Sequence, residues 1–109
     1  MGGDSGCSVI IDGLLQALRH HDHIRTMYLV GDEDAIRPVL DQAGQLAARI
    51  EVVHSPEVLS MEEKPVEGLR RKKNCSIAMA MDLVKQGQAD AILSAGNTGG
   101  LVAAASIKL

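Results

Sequence analysis

Apolar residues recur along the chain in two rhythms. Val9, Ile10, Leu14, Leu15 and Leu18 fall at helical spacing and predict a first helix, with Ser5 or Ser8 as its cap. Thr26-Met27-Tyr28-Leu29-Val30 is a short run rich in β-formers, stopped by Gly31, and predicts a strand. Asp32 is placed to cap a second helix. Pro38 inside that pattern predicts a start near Arg37 or a kink there, and Gly44 an interruption or an end. Arg49-Ile50-Glu51-Val52-Val53-His54 predicts a second strand. The polar stretch from Ser55 to Lys64 holds Pro56 and reads as a loop or a short helical turn. Ile77, Met79, Ala80, Met81, Leu83 and Val84 outline another helix, with Asn74 or Ser76 as cap and Gly87 as terminator. Ala89 to Ser94 predicts a third strand, and Leu101 to Ile107 a last helix.

Helices alternating with strands imply an α/β fold with a parallel sheet and right-handed crossovers. In such sheets ligands sit beyond the carboxyl ends of the strands. Gly31, His54 and the stretch Ser94 to Gly100 all follow predicted strands. The opening Met1-Gly2-Gly3-Asp4-Ser5-Gly6-Cys7-Ser8 is a glycine-rich loop of the kind that usually follows a strand, and no strand precedes it here.

Composition narrows the functional classes. With no Trp, no Phe and one Tyr, Tyr28, the core must be aliphatic, and a surface that stacks nucleobases is disfavoured. The formal net charge of −3 argues against a general polyanion binder, so nucleic acid is not expected as a partner. Cys7 and Cys75 are far apart and suggest reduced thiols in a cytoplasmic protein rather than a zinc site. His20, His21 and His23 close the first helix, where imidazoles suit the helix dipole. Adjacent His20 and His21 point apart, so no metal site is assigned. No run approaches the roughly 20 apolar residues of a membrane span.

Two stretches carry candidate chemistry. Ser94-Ala95-Gly96-Asn97-Thr98-Gly99-Gly100 joins an apolar run to a helix start. First-turn N–H groups lack intrahelical partners, the dipole places positive charge there, and glycines admit an oxyanion close to the backbone. Asn97 and Thr98 are suited to cap the helix or to donate to the same anion. A tight strand-to-helix turn without a ligand fits the pattern equally well. Arg70-Arg71-Lys72-Lys73 is either a solvated helix face or an electrostatic site for phosphate or an acidic partner.

Met1-Gly2-Gly3-Asp4, Arg70-Arg71-Lys72-Lys73-Asn74-Cys75-Ser76 and Ser94-Ala95-Gly96-Asn97-Thr98-Gly99 occur in the order and rough spacing of the bacterial phosphate acyltransferase family of phospholipid synthesis, often called PlsX. Leu83 to Ala91 is similar to that family's helix-to-strand connection. The chain departs from the family at Cys75-Ser76, where a serine pair is usual, and at Ser5-Gly6-Cys7, where a proline is common. The resemblance covers residues 1–109 and only the leading part of the family's chain. It implies the N-terminal part of one α/β acyltransferase domain, a partial three-layer αβα Rossmann-like fold with a mostly parallel sheet and its first strand missing.

The same resemblance implies transfer of a fatty acyl group from acyl carrier protein to inorganic phosphate, giving acyl phosphate, without a cofactor. Phosphate is the nucleophile, so the protein must hold a dianion and stabilise an oxyanion. The residues expected to bind phosphate are Gly96, Asn97, Thr98, Gly99 and Ser76. Those expected to act in catalysis are Lys72, Lys73, Asn97 and Thr98. Gly2, Gly3 and Asp4 form a supporting loop, with Asp4 orienting Lys72, Lys73 or backbone donors. The resemblance further implies a homodimer and a cytoplasmic enzyme in peripheral contact with the membrane. Two other readings stay open: a phosphotransacetylase-like enzyme using acyl-coenzyme A, and a non-catalytic fragment with a partial anion site. These 109 residues by themselves are expected to be inactive.

Overall fold

The computed structural model describes residues 7–57, 62 and 64–109. Helix α1 spans Cys7–His20, strand β1 Met27–Gly31, helix α2 Glu33–Leu40 and strand β2 Ile50–His54. A tighter 3-10 segment, Asp41–Arg49, joins α2 to β2. Three helices follow: α3 (Pro65–Arg71), α4 (Ser76–Lys85) and α5 (Thr98–Lys108).

The two strands pair in parallel, from Met27 opposite Ile50 to Gly31 opposite His54. Parallel pairing needs a crossover, which α2 and the 3-10 segment supply. Leu29 turns into a core with Ile11, Leu14 and Leu18 of α1 and Ile36 and Leu40 of α2. Helix α4 packs against β1, and its Ile77, Ala78 and Met81 form a second core with Cys75 and Ala104. The result is an α/β structure consistent with part of an αβα Rossmann-like fold.

Several helix ends follow their local chemistry. Asp32 caps α2, its Oδ1 accepting from the Asp34 N–H at 3.0 Å. Gly87 ends α4 at φ 79°, and the Gly87 and Gln88 N–H groups return to the carbonyls of Val84 and Leu83 at 3.1 and 2.9 Å. Those paired bonds satisfy two carbonyls of the last turn.

Other expectations need correction. Helix α2 starts at Glu33, not near Arg37, and runs through Pro38. Pro38 and Asp34 are exposed, so the Asp34 carbonyl deprived of its donor lies on the solvent side, where its loss costs least. Gly44, at φ 64° and ψ −132°, breaks the 3-10 segment rather than α2. Ser8 lies inside α1 and does not cap it, while Ser5 falls outside the described residues. The cap position of α4 is Cys75, not Asn74 or Ser76. Ala89 to Ser94 is not a strand: no ladder partner lies beside it among the described residues, and Leu93 is 95% exposed. An apolar run becomes a strand only where a neighbour accepts its backbone bonds. Ile11, absent from the expected helical stripe, is fully buried, whereas Val9 is 54% exposed.

Candidate functional site

The carboxyl edge of the sheet gathers several polar groups. The Glu33 N–H, first in α2, donates to His54 Nδ1 at 3.2 Å, so the end of β2 braces the start of α2. The Ser55 N–H donates to the Gly31 carbonyl at 2.7 Å and extends the pairing by one bond. Ser55 Oγ, buried, lies 2.8 Å from the Glu57 carbonyl and 2.7 Å from the Asn74 carbonyl. Its single proton serves one of them at a time. Glu57 bridges to Cys75, and the Ser76 N–H donates to the Glu57 carbonyl at 3.0 Å. The start of α4 is thereby fastened to the segment leaving β2.

Ser76 is the first residue of α4 and is 2% exposed. Its Oγ is buried with no hydrogen-bond partner among the described residues. A buried hydroxyl left unpaired costs about 1–3 kcal/mol. Beside it, the N–H groups of Ile77 and Ala78 have no intrahelical acceptor by position, and the α4 dipole adds positive charge. Lys73 is exposed and Lys72 half-buried, immediately before this helix start. The helix start thus presents backbone donors and a buried hydroxyl, with two lysines directly before it in the chain.

Helix α5 begins in the same sense. Lys108 Nζ meets Asp82 Oδ1 at 2.9 Å, one turn beyond the level at which Ala104 and Ala78 line a common groove. The two helices therefore run in the same direction, and both positive ends face the same side. Asn97 is 6% exposed and acts as cap, its Oδ1 accepting from the Gly100 N–H at 2.9 Å. The Gly96 N–H donates to Ser94 Oγ at 3.1 Å, so it is already engaged. The N–H groups of Thr98 and Gly99 are the first-turn donors without an intrahelical acceptor. At Gly99 the close neighbour is protein: an added Cβ would lie 2.5 Å from Pro65 Cγ. This glycine lets the start of α5 touch the start of α3.

The structure thus joins Ser76 to the loop after β2 and places Lys72 and Lys73 directly before it. Asn97, Thr98 and Gly99 stand at the next helix start. Gly2, Gly3 and Asp4 lie outside the described residues. Among the described residues no group of three or more His, Cys, Asp or Glu is arranged to hold a metal ion, and His20, His21 and His23 are exposed. His21 and His23 instead meet edge to face, with centroids 5.5 Å apart.

Sequence reasoning overlooked Ser55 and Arg49. Ser55 joins the edge through contacts distant in the chain, which no local pattern reveals. Arg49 donates to the carbonyls of Leu18 at 2.8 Å, His21 at 2.9 Å and Ile24 at 3.1 Å. It closes the C-terminal end of α1 with one guanidinium, the task expected of the histidines.

These features define an α/β protein whose carboxyl sheet edge carries two helix starts and a basic run. Residues 1–109 match the family model described as "Fatty acid synthesis protein", and the chain belongs to that family. It is 45% identical over 109 residues to a "Phosphate acyltransferase" of Akkermansia muciniphila, covering all of this chain and 31% of that protein. It is 46% identical over 110 residues to a "Phosphate acyltransferase" of Shewanella sp. (strain ANA-3), covering all of this chain and 32% of that one. A "Phosphate acyltransferase" of Erythrobacter litoralis (strain HTCC2594) is 43% identical over 109 residues, with 30% of its length covered. The chain spans about a third of the length of these curated relatives.

Proposed function

We propose that the chain contributes the phosphate-binding part of a phosphate acyltransferase that takes a fatty acyl group from acyl carrier protein. The observation that carries this reading is Ser76 Oγ, buried without a partner at the start of α4 and preceded by Lys72 and Lys73. Family membership and the relatives' names support the reaction class.

In this reading the Ser76 hydroxyl donates to a phosphate oxygen. The N–H groups of Thr98 and Gly99 and the Thr98 hydroxyl hold the other side, and Lys72 and Lys73 balance its charge. One phosphate oxygen attacks the thioester carbonyl carbon. The carbon–sulfur bond then breaks, the thiolate takes the proton given up by hydrogen phosphate, and acyl phosphate leaves. The nucleophile comes from the substrate, so buried Cys75 is not needed for attack. Asn97 acts by holding the α5 start in place. The 109 residues by themselves turn over slowly or not at all, because Leu93 at 95% exposure and Val102 at 61% leave apolar surface uncovered on the segment leading into α5 and on α5 itself.

The test uses a protein extended to the relatives' length. Ser76→Ala should raise KM for phosphate by about tenfold, the worth of one lost hydrogen bond to a charged group. KM for the thioester should stay unchanged. In the absence of phosphate the variant should be as stable as the parent or more so, since an unpaired hydroxyl has been removed. Equal losses on both substrates, or no loss, would count against the assignment. Parallel assays with acyl carrier protein and coenzyme A thioesters identify the donor.

A further inference from the structure

A groove of about 300 Å³ runs between α3, α4 and α5. Its walls are apolar, with Val66 and Leu69 from α3 and Ala104 and Ile107 from α5. Arg70, Lys73 and Lys108 also line it. Lys108 is tied to Asp82, but Arg70 and Lys73 have no carboxylate in ion-pair reach among the described residues. An apolar trough bearing two unmatched cations is complementary to a hydrocarbon chain with an anionic head. Its volume lies at the lower end of small-molecule sites, about 300–1,000 Å³. Lys73 belongs both to this groove and to the basic run that reaches Ser76 three residues later. A head group drawn to Lys73 is therefore drawn toward the α4 helix start.

We propose that the groove is the binding site for the hydrocarbon chain of an amphiphile with an anionic, phosphate-type head. The chain lies along Val66, Leu69, Ala104 and Ile107, with the anionic head at Arg70 and Lys73. The inference rests on the phosphate reading for the identity of the head group and on the groove alone for the chain.

Calorimetric titration tests it with methyl, hexyl, octyl and decyl phosphate below their micelle concentrations, with decanol and inorganic phosphate as comparisons. The titrations use the 109-residue chain and a protein extended to the relatives' length. Affinity should rise about two- to fourfold per added methylene until the groove is full, from the transfer of each methylene out of water into a half-open trough. Decanol should bind more weakly than decyl phosphate. Arg70→Gln should weaken decyl phosphate about two- to fivefold, as expected for one exposed charge pair. Ile107→Glu should flatten the chain-length series. Ile107 is 67% exposed and Val66 47%, so both Ile107→Glu and Val66→Gln should fold, as circular dichroism would check.

Affinity independent of chain length overturns the proposal. So does binding by the 109-residue chain that vanishes in the extended protein, because the groove would then be covered by polypeptide. Binding only to vesicles of anionic lipid, with none to monomeric alkyl phosphates, would make it a membrane-facing surface and equally overturn it. Failure of the phosphate reading looks different: inorganic phosphate does not bind and Ser76→Ala has no effect, while the chain-length series persists.

Discussion

Gly99→Ala isolates the contact that sets the start of α5. The new Cβ would sit 2.5 Å from Pro65 Cγ, with Pro65 Cβ and Asn97 Oδ1 each at 3.5 Å. Carbon atoms rest at about 3.5–4.0 Å, so α3 and α5 must part by about 1 Å or the proline ring must shift. Overpacking of this kind costs about 1–3 kcal/mol. Replacing a helical glycine returns at most about 1 kcal/mol of propensity. The steric cost is the larger, and a net loss of about 1–2 kcal/mol is expected. In a domain of this size each kcal/mol moves the melting temperature by about 4–8 °C.

Gly13→Ala is the matched control. Gly13 lies in α1 with nothing within 4 Å of an added Cβ, so propensity acts alone and the variant should gain up to about 1 kcal/mol. Pro65→Ala removes the clashing Cγ and leaves Cβ at an ordinary 3.5 Å. In the Gly99→Ala background it should recover about 1–2 kcal/mol, although alone it is neutral or harmful, because proline suits the first helical position. Urea unfolding followed by circular dichroism measures all four proteins. In the extended enzyme, Gly99→Ala should also raise KM for phosphate, since it displaces a candidate donor by about 1 Å. A Gly99→Ala protein as stable as Gly13→Ala, or a double mutant showing no rescue, would refute the contact.

Three further outcomes follow from other contacts. Arg49→Ala should cost about 2–3 kcal/mol in urea unfolding, because it strips the carbonyls of Leu18, His21 and Ile24 of their donor; Arg49→Lys should recover little, lacking the planar fork. Cys75→Ser should retain most activity in the extended enzyme but lose about 1–2 kcal/mol of stability, since it puts a hydroxyl where a thiol is 0% exposed among Ile77, Met81 and Ala104; a thousandfold fall in kcat would overturn phosphate as nucleophile. Asn97→Asp should keep the cap on the Gly100 N–H yet raise KM for phosphate by placing a carboxylate beside the anion; unchanged phosphate use would remove the α5 start from the site.

The elements that could be read from the chain were those whose signals are local. Leu29 and Val30 before Gly31, and Val52 and Val53 before His54, are short β-branched or apolar runs with a clear stop, and both became strands. Asp32, Gly87 and Asn97 act through bonds to residues two to four positions away, so their capping roles were visible too. The failures share a different cause. Ala89 to Ser94 has the composition of a strand, but pairing depends on a neighbour that the run itself does not specify. Arg49 sits beside a strand in sequence and works 25 to 31 residues away. Pro38 suggested a helix start because the exposure of its face could not be known. The basic run was visible as charge, whereas its attachment to the sheet runs through Ser55, Glu57 and Asn74 and is invisible to spacing.

That attachment fixes the edge at which we propose that an anion binds. A helix start alone offers donors that water satisfies as well as any ligand. Here the start of α4 is held by the Ser76 N–H bond to Glu57, and Ser55 ties Glu57 and Asn74 to the strand end. The fastening buries Ser76 Oγ, which has no hydrogen-bond partner among the described residues. In the proposed reading a bound oxyanion would relieve the cost of that unpaired hydroxyl, while the backbone donors of the helix start are held in place by the fold. Fixed donors favour a charge that develops during reaction, because no reorganisation is needed when it appears. Lys73, exposed and lining the groove, adds a cation directly before the same helix start in the chain. In the proposed reading, backbone donors from α4 and α5 orient the anion and the exposed Lys73 cation neutralises it. Replacing Lys73 should therefore alter the charge balance of the site while leaving its shape intact.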